Sequence, residues 1–220
     1  MSSLIEVVKG FNNLDVYQRF YSSIRTDLEN LGKKGERNRH IDYGHGKNLR
    51  FPIHLASLYP ENEIFYLENS SWMDYIFTKL KYRQFTPDNF TFIKSPGEKT
   101  IKAKSSTMFF TLHHCENEKE SIAEIRDHLL PGGLLIILDY DMKKYVTDYD
   151  QGMAKEIVTE LFNSENEIKV RKKEKDFFES HTRIGAYNCV KECRRAGFKT
   201  KKLIVTDPRK LFLYVGEKQN

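Results

Sequence analysis

Gly44 and Gly46 join a short apolar strand to a helical pattern within HIDYGHGKNLRFPIHLA, residues His40 to Ala56. A strand that ends at Asp42, turns through two glycines and then starts a helix exposes backbone N–H groups that side chains do not block. That geometry suits a nucleoside-bearing cofactor. It also suits an ordinary structural turn between strand and helix, and the glycine pair alone leaves both readings open.

The chain has 220 residues, 39% of them hydrophobic, enough to bury one sizeable core, so a single domain over 1–220 is expected. No apolar run approaches the roughly 20 residues that cross a bilayer, and the first residues, MSSLIEVVKGFNN, lack a basic start followed by an apolar stretch. The expectation is a soluble, cytoplasmic protein without a membrane partner. Cys115, Cys189 and Cys193 form no CxxC pair, which fits buried thiols in a reducing compartment. A net charge of +5 is modest, and the basic clusters Lys169–Lys175 and Arg194–Lys202 are interleaved with Glu174 and flanked by Glu167 and Glu192. Such dilution describes a solvated face better than a nucleic-acid footprint.

Hydrophobic spacing orders the rest. Leu14, Tyr17, Phe20, Tyr21, Ile24, Leu28 and Leu31 recur at helical steps, giving an N-terminal helical cap within 1–38. Strands are expected at Glu63–Glu68, Phe90–Lys94, Thr107–His113 and Leu134–Tyr140, with helices at Ser71–Tyr82 and Glu118–Leu130 between them. Strands alternating with helices imply an α/β fold with a parallel sheet. The core then covers 39–143. Residues 144–181 are polar apart from one apolar helical stripe and read as an insertion. Within 182–220, a helix at Arg183–Arg195 stops at Ala196 and Gly197, and Lys199–Thr206 with Lys210–Gly216 make an antiparallel hairpin.

The segments IDYGHGKN, FYLENSSWM, MFFTLHHCEN, LLPGGLLIILDY and RRAGFKTKKL, in this order, resemble the class I S-adenosylmethionine-dependent methyltransferases of the small-molecule type. The resemblance spans nearly the whole chain. It implies a Rossmann-like, mostly parallel, seven-stranded sheet closed by a C-terminal antiparallel hairpin, with helices on both faces. It also implies S-adenosyl-L-methionine as cofactor. Asp42, Gly44 and Gly46 match the acid and first two glycines of the family's DxGxGxG turn, with His45 packed inside the loop and Asn48 standing where the third glycine would be. Glu68 matches the acid that accepts from the ribose hydroxyls, and Asn69, Ser70 and Met73 follow it. Ser95 takes the place of the acid that meets adenine. Leu112, His113 and His114 match the end of strand four that faces the transferred methyl, although Ser105, Ser106 and Thr107 stand where that strand usually opens with an acid.

Methyl transfer from a sulfonium is an in-line displacement, so alignment and exclusion of water carry most of the catalysis. A histidine beside the methyl can orient or deprotonate the acceptor, which makes His113 and His114 the catalytic candidates. Tyr17 and Tyr21, one helical turn apart on a cap that often closes over the acceptor in this family, are candidate substrate contacts or else core aromatics. No metal is expected: Cys189 and Cys193 lack a second ligand pair, and Asp139 and Asp141 are a commonplace alternation at a strand end. GHGKNL does not fit the GxGxxG of a dinucleotide site. LHHC after strand four, in place of the Asn/Asp-Pro-Pro-aromatic signature, disfavours a nucleic-acid base as acceptor and favours a small molecule. An RNA ribose or a protein acceptor and a non-catalytic binding or scaffolding module are the alternatives, and a homodimer is compatible with these residues.

Overall fold

A computed structural model describes residues 22–28, 38–44, 49–68, 72–94, 101–141, 185–206 and 211–220. Within these, a helix over residues 22–28 (α1) precedes β1 (Arg39–Gly44), α2 (Arg50–Leu58), β2 (Glu63–Glu68), α3 (Trp72–Tyr82), β3 (Phe90–Ile93) and β4 (Ala103–Phe109). There follow α4 (Glu118–His128), β5 (Leu129–Tyr140), α5 (Ala186–Arg195), β6 (Phe198–Thr206) and β7 (Leu211–Lys218). The insertion expected over 144–181 lies outside the described residues, as do most of the N-terminal cap and the residues joining β6 to β7.

The seven strands form one sheet in the order β3-β2-β1-β4-β5-β7-β6. β3, β2, β1, β4 and β5 run parallel, and β7 is antiparallel to both β5 and β6. Parallel strands need a crossover, and helices α2 and α4 return the chain for the next strand. The sheet is thus covered on both faces. One face carries Ile41, Tyr43, Phe65, Leu67 and Ile137 into a core shared with Cys189 and Cys193 of α5, while Ile64, Tyr66, Ile136 and Leu138 meet Ile24, Phe51, Ile53 and Leu55 on the other. Central strands buried on both sides explain why LLIIL reads as a continuous apolar run. All three cysteines are buried free thiols, as the sequence suggests.

Several boundaries differ from the sequence expectation. β1 does not end at Asp42; it continues to Gly44, because Tyr43 and Gly44 still pair with Leu67 and Glu68 of β2. β4 begins at Ala103 and stops at Phe109, and Leu112–His114 form a 3-10 turn where a strand was expected to continue. β5 takes in Pro131, Gly132 and Gly133 instead of starting after them. α4 is fixed at its start by the Asn117 side chain, which accepts from the Glu120 backbone N–H, and at its end by Lys218 Nζ, which donates to the carbonyls of Arg126 and Leu129. α5 ends as read from sequence, with Gly197 left-handed at φ 86° just beyond it.

Pro52 sits in the first turn of α2, where its missing N–H has no helical partner to lose. Phe51 beside it meets Phe109 of β4 with ring centroids 4.4 Å apart, seating the start of α2 over the ends of β1 and β4. Strand order reverses between β1 and β4, and crevices at such switch points, outside the carboxyl ends of the strands, are where open α/β sheets take ligands.

Candidate active site at the strand tips

The tips of β1 and β2 lie side by side, with Gly44 in register with Glu68. Glu68 is 0% exposed, and its Oε2 accepts from Tyr66 Oη at 3.0 Å. A carboxylate has about four lone-pair sites, so the phenol occupies only one. Tyr66 also gives Gly44 its reason. A Cβ on Gly44 would stand 2.3 Å from the Tyr66 ring and hydroxyl, so the missing side chain makes room for a tyrosine on the neighbouring strand. The sequence reading gave that space to a cofactor. His45, Gly46, Asn48, Asn69, Ser95, Tyr17 and Tyr21 lie outside the described residues, as does the side chain of Met73 on α3.

Asp42 faces the same side of the sheet and is in register with Thr107 of β4. Thr107 Oγ1 donates to Asp42 Oδ1, and His40 Nε2 lies 3.0 Å from Thr107 Oγ1, while His40 Nδ1 lies 2.7 Å from Ser105 Oγ. Burial lowers the His40 imidazole to about 3, so the ring is neutral. With Asp42 ionised, Thr107 spends its only hydrogen on it, so His40 Nε2 donates to Thr107 and Nδ1 accepts from Ser105, and the hydrogens of this chain point towards the carboxylate. Burial pushes Asp42 up to about 7, with the Thr107 bond acting against the rise and the nearby Glu68 charge adding to it. Ser105 and Thr107, two of the residues that break the family's pattern at this strand, are the hydroxyls that seat His40 and Asp42.

The tips of β4 and β5 hold the second part of the site. His113 is 2% exposed, and its Nδ1 lies 2.6 Å from Asp139 Oδ1 while its backbone N–H donates to Asp139 Oδ2 at 3.1 Å. A carboxylate only accepts, so Nδ1 carries the hydrogen of this bond. His114 is exposed, and its ring meets that of His113 at a tilt, with centroids 4.0 Å and planes 43° apart. The structure thus separates the two candidate histidines into one that is held and one that covers it. Leu112 is fully buried and belongs to the core under α4 and α5.

Phe110 explains how His113 reaches Asp139. Its φ of 52° is the one left-handed backbone among non-glycine residues in the described part of the chain, a conformation that costs roughly 1–3 kcal/mol. The step ends β4 and puts Phe109 and Phe110 against the same core, where an unbroken strand would alternate them. The following turn, closed by the His114 N–H on the Thr111 carbonyl at 2.9 Å, carries His113 over the end of β5. Asp139 is the functional candidate that sequence reasoning passed over. Asp141, its alternating neighbour, accepts from the first N–H of α5 at 2.9 Å.

No family model and no curated protein matches the sequence. Solved structures do. A SAM-dependent methyltransferase from Aquifex aeolicus is similar at TM-score 0.58 and 12% identity, with 99% of each chain covered. The CMeT domain of the citrinin polyketide synthase reaches TM-score 0.62 at 14% identity over 92% of this chain and 52% of that one. The [4+2]-cyclase SpnF has TM-score 0.58 at 11% identity over 92% and 82%. With its strand order, its antiparallel β7 and these neighbours, the chain has the fold of the class I S-adenosylmethionine-dependent methyltransferases.

Proposed function

We propose that the protein transfers a methyl group from S-adenosylmethionine to a small-molecule acceptor. The observation that carries the reading is the succession of strand tips around the switch point: a buried carboxylate, Glu68, in register with Gly44 on one face of the sheet, and, across the β1–β4 pairing, a carboxylate-held imidazole, His113, whose partner Asp139 faces the other side. The donor set fits an adenosyl group. Glu68 carries a carboxylate, the kind of acceptor that vicinal hydroxyls require, and Tyr66 donates one neutral hydrogen bond to it.

When bound, the cofactor would supply an electrophilic methyl on a sulfonium. His113 would hold the acceptor's proton at Nε2, since Asp139 fixes the hydrogen on Nδ1 and would face the positive charge that arises on the ring. Burial around Leu112, His113 and Asp139 keeps water from this end of the path. The small-molecule class is supported by a neighbouring structure from Galdieria sulphuraria named as a sarcosine dimethylglycine methyltransferase, TM-score 0.60 at 11% identity. The neighbour that is a cyclase gives weight to a second reading, a site on the same fold that binds its ligand without transferring a methyl.

Calorimetric titration with S-adenosylmethionine tests the proposal. Binding is expected, and Glu68→Ala should weaken it by about 1–3 kcal/mol through lost charge-assisted hydrogen bonds. Unchanged affinity in that variant removes the ribose assignment, and no heat at millimolar cofactor removes methyl transfer altogether.

A further inference from the structure

We propose that Tyr66 is a positioning residue for Glu68, holding its carboxylate in the orientation that meets the hydroxyl groups of a bound sugar. The inference rests on the cofactor reading above and deepens it, because it assigns the reading of the ribose to a pair of residues on one strand.

Tyr66 and Glu68 are two apart on β2 and share a face of the sheet. The Tyr66 ring is clamped. On one side Phe92, its register partner on β3, meets it edge-on at a centroid distance of 6.0 Å, and on the other it fills the volume beside Gly44. With the ring fixed from two strands, the hydroxyl has little freedom, and the bond to Glu68 Oε2 transmits that rigidity to the carboxylate. A buried carboxylate needs donors, and the phenol supplies one from a fixed position. Gly44 belongs to the same device, since any side chain there would push the phenol away from Glu68.

The test uses adenosine and 2′,3′-dideoxyadenosine as calorimetric probes on the full chain, with Tyr66→Phe, which keeps the ring and removes the hydroxyl. The wild type is expected to favour adenosine, and Tyr66→Phe to lose about threefold to tenfold in adenosine affinity with the dideoxy probe unchanged. Gly44→Ala reaches the same bond from the other strand and is the second arm, with the same selective loss expected in its folded fraction. A variant pair that discriminates between the probes as the wild type does overturns the positioning role and leaves the cofactor reading standing. A wild type that does not discriminate overturns both, and that failure is visible before any variant is made.

Discussion

Two buried histidines lie beside acids in this sheet, and the sheet uses them differently. His40 reaches Asp42 only through the Thr107 hydroxyl, in the middle of β1, where burial keeps the ring neutral. His113 meets Asp139 directly, at the end of the sheet, where the backbone has left the strand. A hydroxyl between ring and acid passes on direction: it fixes a tautomer and seats the acid. Direct contact also opposes charge, so a proton arriving at Nε2 of His113 would face a carboxylate 2.6 Å from the other nitrogen. The first arrangement is suited to holding Asp42 in place, the second to proton transfer.

The largest effect is expected where direct contact is broken. Asp139→Asn keeps the shape of the side chain, and methyl transfer should fall by about a hundredfold or more because the ring loses its charge partner. Asp139→Ala should in addition cost about 2–4 kcal/mol in denaturant unfolding, since it strands two buried donors. Full turnover in Asp139→Asn would erase the distinction between the two histidines.

The indirect pair should show itself in stability against pH. His40 is held below its ordinary value, so its contribution is complete above about 6.5 and is lost as pH falls towards 3. Asp42 is held above its ordinary value, so its contribution is complete below about 3.8 and is lost as pH rises through 7. Between these limits the two slopes oppose. Asp42→Asn removes one of them, and its melting temperature should climb steadily from pH 4 to pH 6.5 more steeply than the wild type's. Parallel profiles would mean that the two groups do not titrate as placed.

The smallest effect is expected at His114. It is exposed and contributes a ring face, so His114→Ala should reduce turnover by less than about threefold, the range of an exposed contact. A loss as large as that of Asp139→Asn would reverse the roles of the two rings.

Much of the architecture is legible in the residues. Alternating periods of two and 3.6 give the parallel core, Asp207 and Pro208 mark the break between the last two strands, and RRAGF marks a helix end that the left-handed Gly197 confirms. The site is less legible. Asp139 reads as one of two alternating acids, and only the pairing of β4 with β5 brings it to His113, 26 residues away. Tyr66 reads as a generic strand aromatic, because no local pattern shows that a ring will fill the space beside a glycine on the next strand. Phe110 gives no warning either, since an aromatic is a poor predictor of a left-handed backbone.

That left-handed step makes the segment after β4 a ruler. Three residues lie between Phe109, the last residue of β4 in register with β5, and His113; the first of them, Phe110, still donates its N–H to the Leu138 carbonyl at 2.8 Å while its left-handed step folds the chain back. Adding or removing a single residue in this span would swing the imidazole off its carboxylate with every side chain intact. The length of this short link is therefore fixed by the contact between His113 and Asp139.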